Sequence, residues 1–356
     1  MARPGRTPLT ILLVLACITV VFVLVFDYTN GFHDAANIVA TVIASRAMTP
    51  AQAVMVVGVF EFLGPVLGGT AVANTIGGVV QISDLQAVQS VTLVLAGLTG
   101  AIVWNLVTWW IGLPSSSSHA LVGGLVGAVW AATGSSHVVW GFHELFTHAH
   151  FTGVTKVLAA LMISPVAGFV AGFILHRLMK LLLRAAHPRV NRWLRLSQFV
   201  TAAGLAFSHG ANDAQKSMGI VTLVLVLGGF TPTFAVPFWV ILACAAALTL
   251  GIMSGGWRIV RTLGFAIYRV RPLHALNSQL AAASVILASS ALGAPVSTTH
   301  VVTSTITGIG SSERIHAVRW GKVRAIVFTW FVTIPGAAAT SLVIYALIRV
   351  FVSDGP

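Results

Sequence analysis

Acidic side chains are scarce in this 356-residue chain, which holds eight Asp and Glu in all, and charged residues of either sign make up only 8% of it. A soluble domain carries a far more charged surface, so a water-soluble globular fold is excluded. Cysteine is nearly missing as well. Cys17 and Cys244 each lie inside an apolar run, which leaves no basis for a disulfide framework. There is no long linker, no low-complexity tract and no stretch suited to a sizeable soluble domain. No Gly-x-Ser-x-Gly context is present to support a nucleophile-and-base pair, so the sequence does not read as an enzyme.

What is present is apolar. Hydrophobic residues make up 57% of the chain and the mean hydropathy is +0.93. With 34 glycines, which suit close helix packing in membranes, this describes an all-α polytopic membrane protein of the cell membrane. The formal charge of +12 could point to nucleic acid, but the basic residues sit in short loops between apolar spans. They read instead as cytoplasmic loops facing anionic lipid, with no nucleic-acid partner. Eleven apolar segments can be drawn, at 9–26, 29–45, 51–69, 88–112, 117–132, 154–183, 197–229, 234–254, 278–292, 297–310 and 325–351. The first is long and has no small-x-small cleavage site after it, so it reads as a transmembrane helix rather than a secretory signal.

Two motifs occur twice, in the same order. The acidic pair is Gly31-Phe32-His33-Asp34-Ala35 and Gly210-Ala211-Asn212-Asp213-Ala214. The hydroxyl pair is Pro114-Ser115-Ser116-Ser117-Ser118-His119 and Pro295-Val296-Ser297-Thr298-Thr299-His300. Asp34 and Asp213 are 179 residues apart, and His119 and His300 are 181 apart. Gly112 and Gly293 lie at matched positions before the histidines, and Gly127 and Gly308 at matched positions after them. The chain is therefore an internal duplication. Duplicated halves with polar breaks at corresponding places are the mark of a secondary transporter. The segments carrying the motifs (29–45, 117–132, 197–229 and 297–310) are expected to be discontinuous or re-entrant helices, about 10–12 membrane segments in all.

Charge gives the orientation. Basic residues cluster at 177–195, 258–271 and 314–324, whereas the connections 70–87 and 133–153 have none. With Arg3, Arg6 and Arg46 also inside, the positive-inside rule puts the amino terminus in and the carboxyl terminus out. Segments 29–45 and 197–229 then run in opposite directions, an inverted repeat. The organisation expected is a first repeat at 9–133, an external His-rich loop at 134–153, a second repeat at 154–310 with a basic cytoplasmic loop at 177–196, and a cytoplasmic loop plus final helix at 311–356. His137, His143, His148 and His150 with Glu144 read as a solvated loop, with weak metal binding as the alternative.

An Asp at membrane depth costs ~2.5–3.5 kcal/mol, so Asp34 and Asp213 must bind a cation, take a proton or pair with a base. Asn30, Asn37 and Asn212 offer carbonyl oxygens to a hard cation or donors to an anion, and Gln215 and Lys216 add a donor and a positive charge. Ser116, Ser117 and Ser118, like Ser297, Thr298 and Thr299, follow a proline and open an apolar run. They read as helix N-termini suited to an anion. Ordinary N-capping explains one hydroxyl in each motif but not three in both. His33 and Glu61 could carry a proton or be hydrogen-bonded structural partners. His119 and His300 could relay protons or cap their segments.

These four motifs resemble those of the inorganic phosphate transporter family, and more closely its bacterial low-affinity permeases. The resemblance spans nearly the whole chain. It implies a secondary active importer of inorganic phosphate, with phosphate held among Asp34, Asn37, Ser116, Ser117, Ser118, Asn212, Asp213, Gln215, Ser297, Thr298 and Thr299. It places a coupling cation near Asp34, Asp213, Asn30 and Asn212, to which His33 and Glu61 add this chain's own coupling-ion candidates, and it implies a homodimer. His33 stands where most of the family has Asn, and Glu61 replaces a common amide. Both departures favour H⁺ over Na⁺, and the His33 variant is similar to permeases that carry phosphate as a neutral metal complex. No cofactor is implied. A sulfate permease of the same fold, a Na⁺-coupled symporter and an anion channel remain as alternatives.

Overall fold

The computed structural model describes residues 9–112, 115–255 and 271–353. Pro114, Arg3, Arg6 and the basic cluster at 258–270 lie outside the described residues. Twelve α-helices are found among the described residues: α1 (Leu9–Ala44), α2 (Pro50–Leu67), α3 (Ala71–Gly77), α4 (Ala87–Trp110), α5 (Ser117–Thr133), α6 (Phe142–His148), α7 (Gly153–Leu182), α8 (Val190–Leu227), α9 (Phe238–Ser254), α10 (Pro272–Ala291), α11 (Thr298–Arg314) and α12 (Trp320–Ser353). Only an isolated Val80–Val138 bridge is strand-like among them.

Five helices, α1, α2, α4, α7 and α12, are long and apolar enough to cross a membrane. The 38-residue α8 is long but polar, and its environment explains why. It packs against α1, α2, α3, α9 and α10, so its middle turns, from Ser208 to Val224, are buried in protein rather than lipid.

The two acidic segments correct the sequence expectation. Both motifs lie inside unbroken helices, α1 and α8. No break follows residue 26, because the polar groups there are answered by α8. Asp27 accepts a hydrogen bond from Ser217, and Asn30 donates to Asp213. A helix whose polar side chains have tertiary partners has no need to unwind. The reversal drawn between 26 and 29, and the count of eleven that depended on it, do not hold.

The hydroxyl segments behave as expected. α4–α5 and α10–α11 are helical hairpins in which Ser115 and Ser116 at one tip and Pro295 and Val296 at the other are buried. α4 and α10 end on Gly112 and Gly293, both left-handed (φ 72° and 64°), as C-terminal stops require. Ser116 and Ser297 cap α5 and α11, accepting from the backbone N–H of His119 (3.2 Å) and His300 (3.3 Å).

Corresponding positions make corresponding contacts. Gly31 in α1 lies on the backbone of α9 at Leu248, and Gly210 in α8 lies on that of α2 at Glu61. Gly251 in α9 faces Tyr28 of α1, and Gly64 in α2 faces Phe207 of α8. Gly127 in α5 packs on α12 at Ala338, and Gly308 in α11 packs on α7 at Phe169. Each crossing would be blocked by a Cβ.

Candidate functional site

The two acidic helices and the two hairpin tips meet in one buried cluster. Asp34, Asp213, Ser116, Ser117, Ser118, Ser297, Thr298 and Thr299 are all buried. Ser118 at one tip donates to the Val296 carbonyl at the other (3.0 Å), so the tips touch. Thr298 lies between the aspartates, its hydroxyl 3.4 Å from Asp34 Oδ2 and 3.5 Å from Asp213 Oδ2. Thr299 donates to Asp34 Oδ1 (3.0 Å).

Helical spacing decides which side chains join the aspartates. One turn later on each helix, Asn37 and Lys216 reach the third hydroxyl of the opposite motif. Asn37 donates to Thr299 (2.9 Å), and Lys216 donates to Ser118 (2.6 Å). Lys216 also donates to Asp213 Oδ1 (2.6 Å) and Val296 O (2.9 Å), so all three ammonium hydrogens are used. One turn earlier, Asn30 and His209 each reach the other half's aspartate. Asn30 Nδ2 is 3.3 Å from Asp213 Oδ2, and His209 Nε2 is 3.7 Å from Asp34 Oδ2 and 3.6 Å from Asp213 Oδ2. The other ring nitrogen of His209 is 2.6 Å from Glu61 Oε1. Asp34, His209 and Asp213 thus offer three ligand atoms within 4.8 Å of one another.

His209 is the cluster residue that sequence reasoning did not single out. Its signal was its position, four before Asp213, as Asn30 is four before Asp34. Other expected residues lie nearby in different roles. His33 pairs with its own neighbour Asp34 (3.0 Å). Asn212 binds Ser290, Ala294 O and Val296 N, and so secures the α10–α11 tip. Gln215 binds Gly68 O, Ala211 O and Val72 N, away from the aspartates. Ser116 and Ser297 turn their oxygens to their own helix ends. The rings of His119 and His300 lie 4.6 Å apart, with Trp330 stacked on His300 at 3.8 Å. In the loop, His137 lies 3.1 Å from Asp84.

A buried site with helix N-termini, neutral hydroxyls and one ammonium beside two carboxylates can hold an oxyanion together with a balancing cation. Residues 30–341 match the model of the phosphate transporter family. The chain belongs to that family. It is 39% identical over 342 residues to a probable low-affinity inorganic phosphate transporter of Bacillus subtilis (strain 168), covering 95% of this chain and 98% of the relative. It is 41% identical to one of Rhizobium meliloti (strain 1021), covering 90% and 93%. Its fold is similar to a solved structure titled the sodium-dependent phosphate transporter, with a TM-score of 0.81 and 25% identity over 95% of this chain and 99% of that one. This phosphate transporter is a multi-pass membrane protein and not an enzyme.

Proposed function

We propose that the protein imports inorganic phosphate by H⁺ symport, with the anion held between the two hairpin tips. Phosphate would take the N-terminal N–H groups of α5 and α11 and the hydroxyls of Ser117, Ser118, Thr298 and Thr299, the last three exchanging their present partners for it. Asn37 and Lys216 would act as donors beside it. Asp34 and Asp213 would carry the coupling charge. The observation behind H⁺ is the Glu61–His209 chain that ends at both aspartates. An imidazole between carboxylates is a proton-binding arrangement, whereas a hard alkali cation takes oxygen ligands. The chain is one-sided: at the equivalent crossing, Leu248 stands in place of Glu61 and Asn30 in place of His209.

A Na⁺-coupled reading has its own support. Asn30 Oδ1 and Asn37 Oδ1 are buried without hydrogen-bond partners beside the aspartates. Purified protein in proteoliposomes separates the two. Phosphate uptake should follow an imposed H⁺ gradient without Na⁺; uptake that needs Na⁺ and ignores the H⁺ gradient overturns the proton reading. Uptake indifferent to both marks a channel, competition by excess sulfate tests the sulfate alternative, and dependence on added Mg²⁺ reports a metal–phosphate cargo.

Arg46 at the end of α1 and the 177–195 cluster before α8 support an inverted arrangement of the halves. The matched contacts of Gly127 with Ala338 and of Gly308 with Phe169 favour α12 as the counterpart of α7. Exposed apolar side chains such as Ile163, Val166, Phe328 and Phe331 are the surface we assign to lipid, with a second copy covering part of it.

A further inference from the structure

A second polar cavity lies far from the hairpin tips. It measures about 390 Å³ and is lined by His176 of α7, Lys180, Arg195 of α8, Arg271 and His274 at the start of α10, and Glu313 near the end of α11. Glu313 is fifteen residues along α11 from Thr298, about 22 Å at 1.5 Å per residue. The cavity therefore belongs to the opposite end of the α10–α11 hairpin, beside the 177–195 basic cluster.

His176, His274 and Glu313 form a two-histidine, one-carboxylate group within metal-binding reach. The hydrogen bonds argue against a metal. His274 Nδ1 accepts from the Arg271 backbone N–H (3.2 Å), so its proton sits on Nε2, which donates to Glu313 Oε2 (2.9 Å). A protonated nitrogen cannot ligate. In the same way His176 Nδ1 takes the Asn277 amide hydrogen (3.0 Å), which leaves an Nε2–H donor. That donor is 99% buried by residue (1% exposed) and has no hydrogen-bond partner. The rest of the lining supplies one ammonium, two guanidinium groups and the N-terminus of the 20-residue α10. Against these stands a single carboxylate, already engaged by His274 and 3.9 Å from Lys180. An unmet buried N–H, guanidinium forks and a helix N-terminus are donors awaiting an oxyanion.

We infer that this cavity binds a phosphate-type dianion, and that the bound anion ties the ends of α7, α8 and α10 together. Inorganic phosphate or the phosphomonoester headgroup of a lipid could supply the group.

The test uses the full-length protein in phosphatidylcholine nanodiscs, titrated with inorganic phosphate by calorimetry. The wild type should show a second binding step that survives Asp34→Asn/Asp213→Asn, which disables the transport site. Arg195→Gln/Arg271→Gln should weaken that step roughly tenfold or more, as loss of charge-assisted bonds requires. His176→Phe should weaken it too, while His176→Gln, which keeps an N–H donor, should weaken it less. Folding of the Arg195, Arg271 and His176 variants is checked by retained uptake into phosphate-free vesicles, and that of Asp34→Asn/Asp213→Asn by a monodisperse size-exclusion profile. If added phosphatidic acid abolishes the step, the headgroup is the natural occupant; if it does not, free phosphate is. No second step in the wild type, a step unchanged in Arg195→Gln/Arg271→Gln, or Zn²⁺ binding at this cluster in place of phosphate overturns the inference.

Discussion

At the scale of single residues, the pair Lys216–Asp213 carries the largest electrostatic commitment. Lys216 is 1% exposed and spends every hydrogen on the site. Replacing it with Met leaves Asp213 buried with its strongest partner gone, which costs about 3–5 kcal/mol. Thermal unfolding of the detergent-solubilised protein should show Lys216→Met well below wild type. Lys216→Met/Asp213→Asn should recover much of the loss, because no unpaired charge remains. A single mutant as stable as wild type would contradict this account. Function separates differently: Asp34→Asn and Asp213→Asn should each abolish phosphate uptake in proteoliposomes while the protein stays folded, Asp213→Asn melting earlier because it leaves Lys216 without its carboxylate, and normal uptake by both would sink the proposed site. His209→Gln tests coupling. It should reduce uptake driven by a pH gradient far more than counterflow exchange of labelled phosphate, which needs no net proton movement. Much of this was legible in the sequence, because duplicated motifs name their own counterparts. The aspartates and hydroxyls stood out by repetition of type. His209 did not, since its counterpart Asn30 is a different residue, and only helical spacing connects the two. One capping hydroxyl per motif was expected, but not that Ser116 and Ser297 fill that role, because a run of hydroxyls does not say which one turns back to its own helix.

At the scale of helices, the acidic motif is as much a packing device as a chemical one. Gly31 and Gly210 stand three residues before the aspartates and let α1 meet α9, and α8 meet α2, backbone to backbone. This close approach fixes where Asp34 and Asp213 point. Gly31→Ala or Gly210→Ala must push two helices apart, and overpacking of this kind costs about 1–3 kcal/mol. Both variants should melt earlier and transport poorly. Gly204, on the same α8, has open space around its would-be Cβ. Gly204→Ala should be neutral or raise stability by about 0.5–1 kcal/mol through helix propensity. Equal melting shifts at Gly204 and Gly210 would remove the argument. The sequence showed these glycines as part of a motif but pointed to broken helices there. The reason is that a glycine, an amide and an aspartate within a few residues of one another read locally as a helix end. Only the partners from α8, Ser217 and Asp213, show that α1 can continue through them.

At the scale of the whole molecule, the halves are interleaved rather than placed side by side. α1 of the first half packs on α9 of the second, and α8 of the second packs on α2 of the first. The last helix, α12, covers α4 and α5, as α7 covers α10 and α11. Hydropathy could locate most of the helices, but not this exchange, because pairing between distant spans leaves no local pattern. It has a direct consequence for assembly. Neither half can bury the Gly31 or Gly210 crossing alone, and a first half ending in the 134–153 loop also lacks α12. Fragments 1–143 and 144–356, divided within that loop, should therefore each be degraded or aggregated when expressed alone. Co-expressed, they should purify as one complex and restore phosphate uptake, since the cut falls in the exposed α6 segment away from every crossing. A first-half fragment that is stable and monodisperse by itself would show that its crossing surfaces need no partner, and would refute the interleaved arrangement.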